Sequence, residues 1–260
     1  MRHLFILLLS AILFACAGAD KDETAGYTAK ELYEEAQSNI NAAEFQSAVK
    51  NLESLEARYP FDPYAKQAQL DIAYAYYKFE ELDQATSAVD RFARLHPRDP
   101  HMDYVYYLKG LINFNRGQGL LDAWFPRDPS RHDPAVLELA FNNFSTLVRR
   151  YPNSKYAGDA YQRMVYLRNQ MAEKEILIAD FYIDRKSWLS AANRAKAVIT
   201  KYPNTVWTKR ALEIMLLSYQ KLDLPELAAD TQRIIDYNDF SDITTIIDPD
   251  KYGKPPPSTL

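Results

Sequence analysis

The 260-residue sequence contains one cysteine, Cys16, so no disulfide within the chain can hold it together and no thiol follows as a nucleophile. It has seven glycines, and none builds a G-x-S-x-G elbow or a phosphate-cradling loop. Of its four histidines, His3 stands at the very start, His96 and His101 flank a proline-rich turn, and His132 lies in a loop; none forms a metal-binding pair on one helix face. The paired carboxylates Glu34-Glu35 and Glu80-Glu81 read as solvated helix surface. Basic residues number 31 against 35 acidic, a net charge of −4, which lacks the footprint of a nucleic-acid-binding protein. No stretch reaches the length of a membrane-spanning helix, about 20 apolar residues. These absences leave little room for an enzyme. They require a chain stabilised by its apolar core, for which a 47% hydrophobic composition is enough.

What is present begins at the N-terminus. Met1-Arg2-His3 is short and positive, and Leu4 to Phe14 is apolar except for Ser10, the layout of a secretory signal. Leu13-Phe14-Ala15-Cys16 resembles a lipobox, with Phe14 a departure from the usual small or β-branched residue. Residues 1–15 are then a removed leader. Cys16 becomes the first residue and carries a diacylglycerol and an N-acyl chain, the only non-protein group expected. Two or three acyl chains hold a protein at a membrane where one does so only marginally. Residues 16–27 are small, polar and acidic and read as a flexible tether. Residues 238–260, with Pro249 and Pro255-Pro256-Pro257, read as a mobile tail.

The segment between is repetitive. Counting back from four prolines gives four sets with the same spacing of 3, 4, 3 and 5: Phe45, Ala48, Leu52, Leu55, Pro60; Leu82, Ala85, Val89, Phe92, Pro97; Leu137, Ala140, Phe144, Leu147, Pro152; Trp188, Ala191, Ala195, Val198, Pro203. Steps of 3 and 4 put residues on one helix face. The alanine marks a close helix crossing and the proline ends the helix. A first helix precedes each set, and a weaker fifth pair places Ala228 in the alanine position. Helix pairs of about 34 residues with this pattern resemble the tetratricopeptide repeat. The expected fold is therefore all-α, a tetratricopeptide-repeat superhelix of about five helix pairs. Residues 28–153 hold repeats one to three, interrupted by a loop over 117–134 with three prolines and two glycines. Residues 154–237 hold repeats four and five. The run from Ser154 to Asp184 has no internal breaker and predicts one long helix.

Tyrosine is abundant, 19 residues, and clusters in "DIAYAYYKF" (71–79) and "DYVYYLKG" (103–110), both on first helices, which line the groove of such an array. Tyrosine suits the gripping of an extended peptide. Tyr76 falls at a structural aromatic position and reads as core. For Tyr74, Tyr77 and Tyr104 groove and core both stay open. Arg91 and Arg94, taken with Tyr59 and Phe61, form the set that would meet a peptide carboxylate.

Together with the lipobox, the ordered stretches "RYPFDPY" (58–64), "AYAYYK" (73–78), "DRFARLHP" (90–97), "DYVYYLKGL" (103–111), "LVRRYPNSKY" (147–156) and "WLSAANR" (188–194) resemble the BamD (YfiO, ComL) family of outer-membrane assembly lipoproteins. The resemblance implies a lipid-anchored, periplasm-facing adaptor with five repeats and no catalytic role. It implies that the N-terminal half receives the C-terminal signal of unfolded outer-membrane proteins, with Tyr59, Phe61, Tyr64, Tyr74, Tyr77, Arg91, Arg94 and Tyr104 as candidate contacts. It implies that the C-terminal half docks BamA POTRA domains and other Bam lipoproteins through Arg185, Trp188, Asn193 and Arg194. Arg194 is expected at the edge of the buried stripe with its guanidinium free, or else bridged to Asp230 or Glu226. Ala17 after Cys16, where aspartate would signal inner-membrane retention, implies outer-membrane sorting. The alternative is a tetratricopeptide lipoprotein serving pilus assembly or secretion, which would not carry the 59–64 and 188–194 stretches in this order.

Overall fold

The computed structural model describes residues 24–116, 134–238 and 240. The leader, Cys16 and most of the tether, the loop over 117–133 and nearly all of the tail lie outside the described residues. Within them the secondary structure is helical throughout, with ten helices: α1 Ala29–Asn41, α2 Phe45–Arg58, α3 Pro63–Lys78, α4 Leu82–Leu95, α5 Met102–Arg116, α6 Pro134–Arg150, α7 Ala157–Asp184, α8 Trp188–Lys201, α9 Thr208–Lys221 and α10 Pro225–Tyr237. In chain order they alternate as the first and second helices of five repeats, as the sequence predicts. The contacts divide the chain into two compact units, Met1–Ala75 and Tyr76–Leu260, a division that falls inside α3.

The repeat register sets the core. Ala48, Ala85, Ala140 and Ala191 are wholly buried and Ala228 is nearly so, each on the second helix of its pair. Leu52, Leu55, Val89, Phe92, Phe144, Leu147, Ala195 and Val198 complete the same stripe and are also buried. A small residue is needed where two helices cross closely, since interaxial distances of 8–10 Å depend on the side chains at the contact. One crossing is closer still. A Cβ on Gly110 of α5 would stand 2.4 Å from the Phe144 ring of α6, so glycine is required there. Around Ala191, Ala195 and Val198 a core cluster gathers Ala172, Ile176 and Ala179 of α7 and Ala211 and Ile214 of α9.

Two kinds of turn alternate along the chain. The second helices end at a residue before proline: Tyr59, His96 and Tyr202 have φ near −127° and ψ near 54°. Proline's ring excludes the α conformation from the residue before it, which ends the helix at that point. The first helices end differently. Ala43, Glu80, Lys186 and Asp223 all adopt positive φ, between 56° and 64°. Each donates its N–H three residues back, and the next residue donates five back, as in Glu44 N–H to Asn39 O (2.8 Å) and Ser187 N–H to Tyr182 O (2.9 Å). This is the Schellman arrangement that usually employs glycine, here built without it. At the other end of the fold, Thr28 and Glu31 form a reciprocal capping box that starts α1. The continuous helix expected from Ser154 onward is present as the 28 residues of α7.

Candidate functional site

In the first unit, α1 and α3 together build a polar and aromatic cluster. Asp71 of α3 is its hub. The Tyr33 hydroxyl donates to Asp71 Oδ2 (2.9 Å), Gln37 Nε2 to the same oxygen (2.8 Å), and Gln67 Nε2 to Oδ1 (2.9 Å). The spacing explains the convergence: Tyr33 and Gln37 stand one turn apart on α1, and Gln67 and Asp71 one turn apart on α3. Burial raises the Asp71 carboxyl above the ordinary aspartate value, and its three hydrogen bonds offset only part of that rise. Burial beside the same carboxylate raises the Tyr33 phenol, and burial alone raises Tyr74. The Tyr33 ring stacks on Tyr64 at 5.0 Å between centroids.

Tyr59 and Phe61 lie in the turn that follows α2. The Tyr59 hydroxyl donates to Tyr27 O (2.8 Å), and the neighbouring Arg58 guanidinium donates to Thr24 O (2.6 Å) and Thr24 Oγ1 (2.9 Å). These bonds fix the segment leading into α1, so Tyr59 is partly engaged within the unit. Phe61, by contrast, is completely exposed. The first unit therefore places Phe61, the Tyr33–Tyr64 pair and half-buried Tyr74 as its aromatic surface. Tyr33, Gln37, Gln67 and Asp71 were not singled out in the sequence. The i, i+4 polar pairs on two first helices were the available signal.

The second unit holds the remaining tyrosine and arginine candidates. Arg91 and Arg94 lie on α4, Arg91 half-buried and Arg94 exposed. Tyr77 corrects the sequence expectation. It is 4% exposed, and its hydroxyl accepts from Asn115 Nδ2 (2.8 Å), so it belongs to the core, while Tyr76 keeps partial exposure. Tyr104 is half-buried with its ring 5.4 Å from Tyr156. Behind it runs a buried polar chain: the Tyr107 hydroxyl donates to Asp159 Oδ2 (2.7 Å), and Arg163 Nε donates to the same oxygen (2.6 Å). The Arg163 guanidinium also lies over the Phe114 ring at 5.1 Å. Burial pushes the Tyr107 phenol up.

The C-terminal candidates sit where α7 meets α8. Arg185 lies over the Phe181 ring at 4.3 Å. Phe181, Leu177 and Leu189 are all exposed, Trp188 is half-buried, and Asn193 and Arg194 are exposed. Arg194 is the second correction. Its guanidinium is not free, since Nη1 lies 3.2 Å from Glu175 Oε2 on α7. The bridge is intramolecular, yet it does not run to repeat five: Asp230 pairs with Arg233 instead. Sequence spacing along one helix cannot reveal a partner on the preceding one. Among the described residues no group of three or more His, Cys, Asp or Glu is placed to hold a metal, and no helix is long and apolar enough to cross a membrane.

Comparison with known proteins completes the picture. Residues 26–234 match the family described as YfiO, outer membrane lipoprotein. A protein of Neisseria gonorrhoeae named outer membrane protein assembly factor BamD is 45% identical over 242 residues, 91% of each chain. Proteins of the same name from Vibrio cholerae and Haemophilus influenzae are 37% and 34% identical, over 89% and 92% of this chain and 96% and 90% of theirs.

Proposed function

Since the chain belongs to the YfiO family of outer membrane lipoproteins, we propose that it is a lipid-anchored adaptor for the assembly of outer-membrane proteins. Its relatives carry the name of assembly factors, and the role is that of a binding protein rather than an enzyme. In this reading Cys16 carries the lipid and the folded part faces the periplasm. The N-terminal unit takes part in receiving the C-terminal segment of an unfolded β-barrel protein, which ends in an aromatic residue and a carboxylate. The α7–α8 surface docks POTRA domains of BamA, with other Bam lipoproteins as further partners.

The observation that carries the peptide-binding half is Phe61. Leaving a phenylalanine wholly in water forgoes about 1.5–3 kcal/mol that burial would supply, and nothing in the fold recovers it. A peptide side chain laid against Phe61 would recover part of it. Fluorescence titration with a β-barrel C-terminal peptide tests this reading. Phe61→Ala is expected to weaken binding about ten-fold. Parental affinity in that variant would remove the peptide site from the reading.

The BamA half rests on the exposed Phe181, Leu177 and Leu189 beside Arg185, apolar and arginine groups of the type that anchor interfaces. The Arg194–Glu175 pair is half-exposed, so a partner carboxylate can compete for Arg194 at small cost.

A further inference from the structure

Asp71 is a carboxylate where the repeat register does not ask for one. It stands fourteen residues before the register alanine of its repeat, Ala85. The same position is Leu177 in repeat four and Ile214 in repeat five, where Ile214 is buried. In repeat one it is Glu34, exposed and paired with Lys30. In repeat three the loop over 117–133 breaks the count. An apolar side chain therefore satisfies the packing at this position, and the carboxylate of Asp71 is surplus to it.

Its hydrogen bonds show what it adds. An ionised carboxylate only accepts. The Gln37 and Gln67 carboxamides therefore turn their amide nitrogens to Asp71, at 2.8 and 2.9 Å, and their carbonyl oxygens away from it. Both glutamines are half-buried. Among the described residues no group donates to Gln37 Oε1 or Gln67 Oε1, and neither oxygen is shut off from water. The same carboxylate holds the Tyr33 hydroxyl, and the Tyr33 ring stacks on Tyr64. One buried group thus orients two open acceptors and one member of an aromatic pair, all within the first unit.

We propose that Asp71 is a positioning residue that fixes the Gln37 and Gln67 carbonyl oxygens as acceptors for main-chain N–H groups of an extended peptide. This rests on the peptide-binding reading of the first unit and adds how the peptide is held there. Alternate N–H groups of an extended chain point to the same side and recur about 6.6 Å apart. Both carboxamide nitrogens lie within 2.9 Å of the one carboxylate, which keeps the two acceptors within reach of one such pair. Main-chain contacts do not read side-chain identity, so they suit segments that share an extended form rather than a sequence.

A scan of N-methylated peptides tests this on the unaltered chain. The probe is a fluorescently labelled β-barrel C-terminal peptide, methylated at one main-chain nitrogen at a time. Two positions, two residues apart, should each weaken binding about ten-fold, while methylation between them changes little. The side chain of Asp71→Asn donates as well as accepts and lets the carboxamides turn round. In that variant the unmethylated peptide should bind about five-fold more weakly and the two positions should lose their effect. Helical circular dichroism checks that the variant is folded. If it is not, Asp71→Leu, with the residue type of repeat four, takes its place. If neither variant folds, the carboxylate is structural and the proposal falls. A flat methylation scan, or the same two sensitive positions in variant and parent, overturns it too. In those cases weaker binding by Phe61→Ala still leaves the peptide site standing, whereas no binding by the parent chain removes both.

Discussion

The guanidinium of Arg163 is 2% exposed and shares the Asp159 carboxylate with the Tyr107 hydroxyl. Removing one side of a buried ion pair strands the other, at a cost of about 3–5 kcal/mol. Asp159 keeps some water access, so Arg163→Met is expected at the lower end, read as a fall in Tm, and Asp159→Asn in the same chain should recover part of it. Gly110→Ala drives a methyl into the Phe144 ring and should cost about 1–3 kcal/mol, with partial recovery when Phe144→Leu is added. Asp71 titrates in the unusual direction. Its folded pKa lies above its unfolded one, so below the unfolded value it carries no penalty. As pH rises from the unfolded to the folded pKa, the folded state holds the extra proton and stability falls. Carbon-13 NMR of the Asp71 carboxyl should show a midpoint above that of an ordinary aspartate, and a midpoint at or below it would refute the assignment. The residue scale is also where the sequence was hardest to read. α3 buries two stripes, Ala65, Ala68, Ile72 and Ala75 on one and Leu70, Ala73 and Tyr77 on the other. A single-stripe reading had no basis for choosing Tyr77 over Tyr76.

At the scale of elements, the second helices were legible and the turns before them were not. The alanine register and the terminal prolines survive in the structure residue by residue, because both reflect local sterics that the sequence carries directly. The four turns that close first helices with positive φ leave no such mark, since Ala43, Glu80, Lys186 and Asp223 occupy a conformation that glycine usually takes. A side chain there costs roughly 1–2 kcal/mol. Glycine returns part of that gain as chain entropy. Lys186→Gly and Glu80→Gly should each raise stability by about 0.5–1 kcal/mol, measured as a higher denaturant midpoint at unchanged slope. Glycine in place of Ala48, which is wholly buried inside α2, should instead destabilise. The continuity of α7 was legible because nothing in 157–184 breaks a helix. The Arg194–Glu175 bridge across α7 and α8 was not, because it depends on how two helices face each other. Arg194→Glu sets two carboxylates side by side at a half-exposed site. A fall of under about 1 kcal/mol is expected in stability, with a sharp loss of BamA on co-purification.

For the whole molecule, the anchor proposed at Cys16 is separate in sequence from the described helices. No cysteine follows residue 16, and the first described helix starts at the Thr28 capping box. Cys16→Ser should release the protein from the outer membrane on fractionation while its helical circular dichroism stays as in the parent, and continued membrane retention would sink the lipid-anchor reading. Arg58 and Tyr59 add a second fixed point by holding residues 24–27 against the end of α2. α7 has a different consequence, and it is mechanical. At 1.5 Å per residue its 28 residues form a rod about 42 Å long. It packs with α6 on one side and, through Ala172, Ile176 and Ala179, with α8 on the other. A pulling force that frees α6 from this rod also unsupports α8. In an optical trap, residues 134–201 should therefore give way in one rip of roughly 20 nm, where shorter first helices would let each pair go separately.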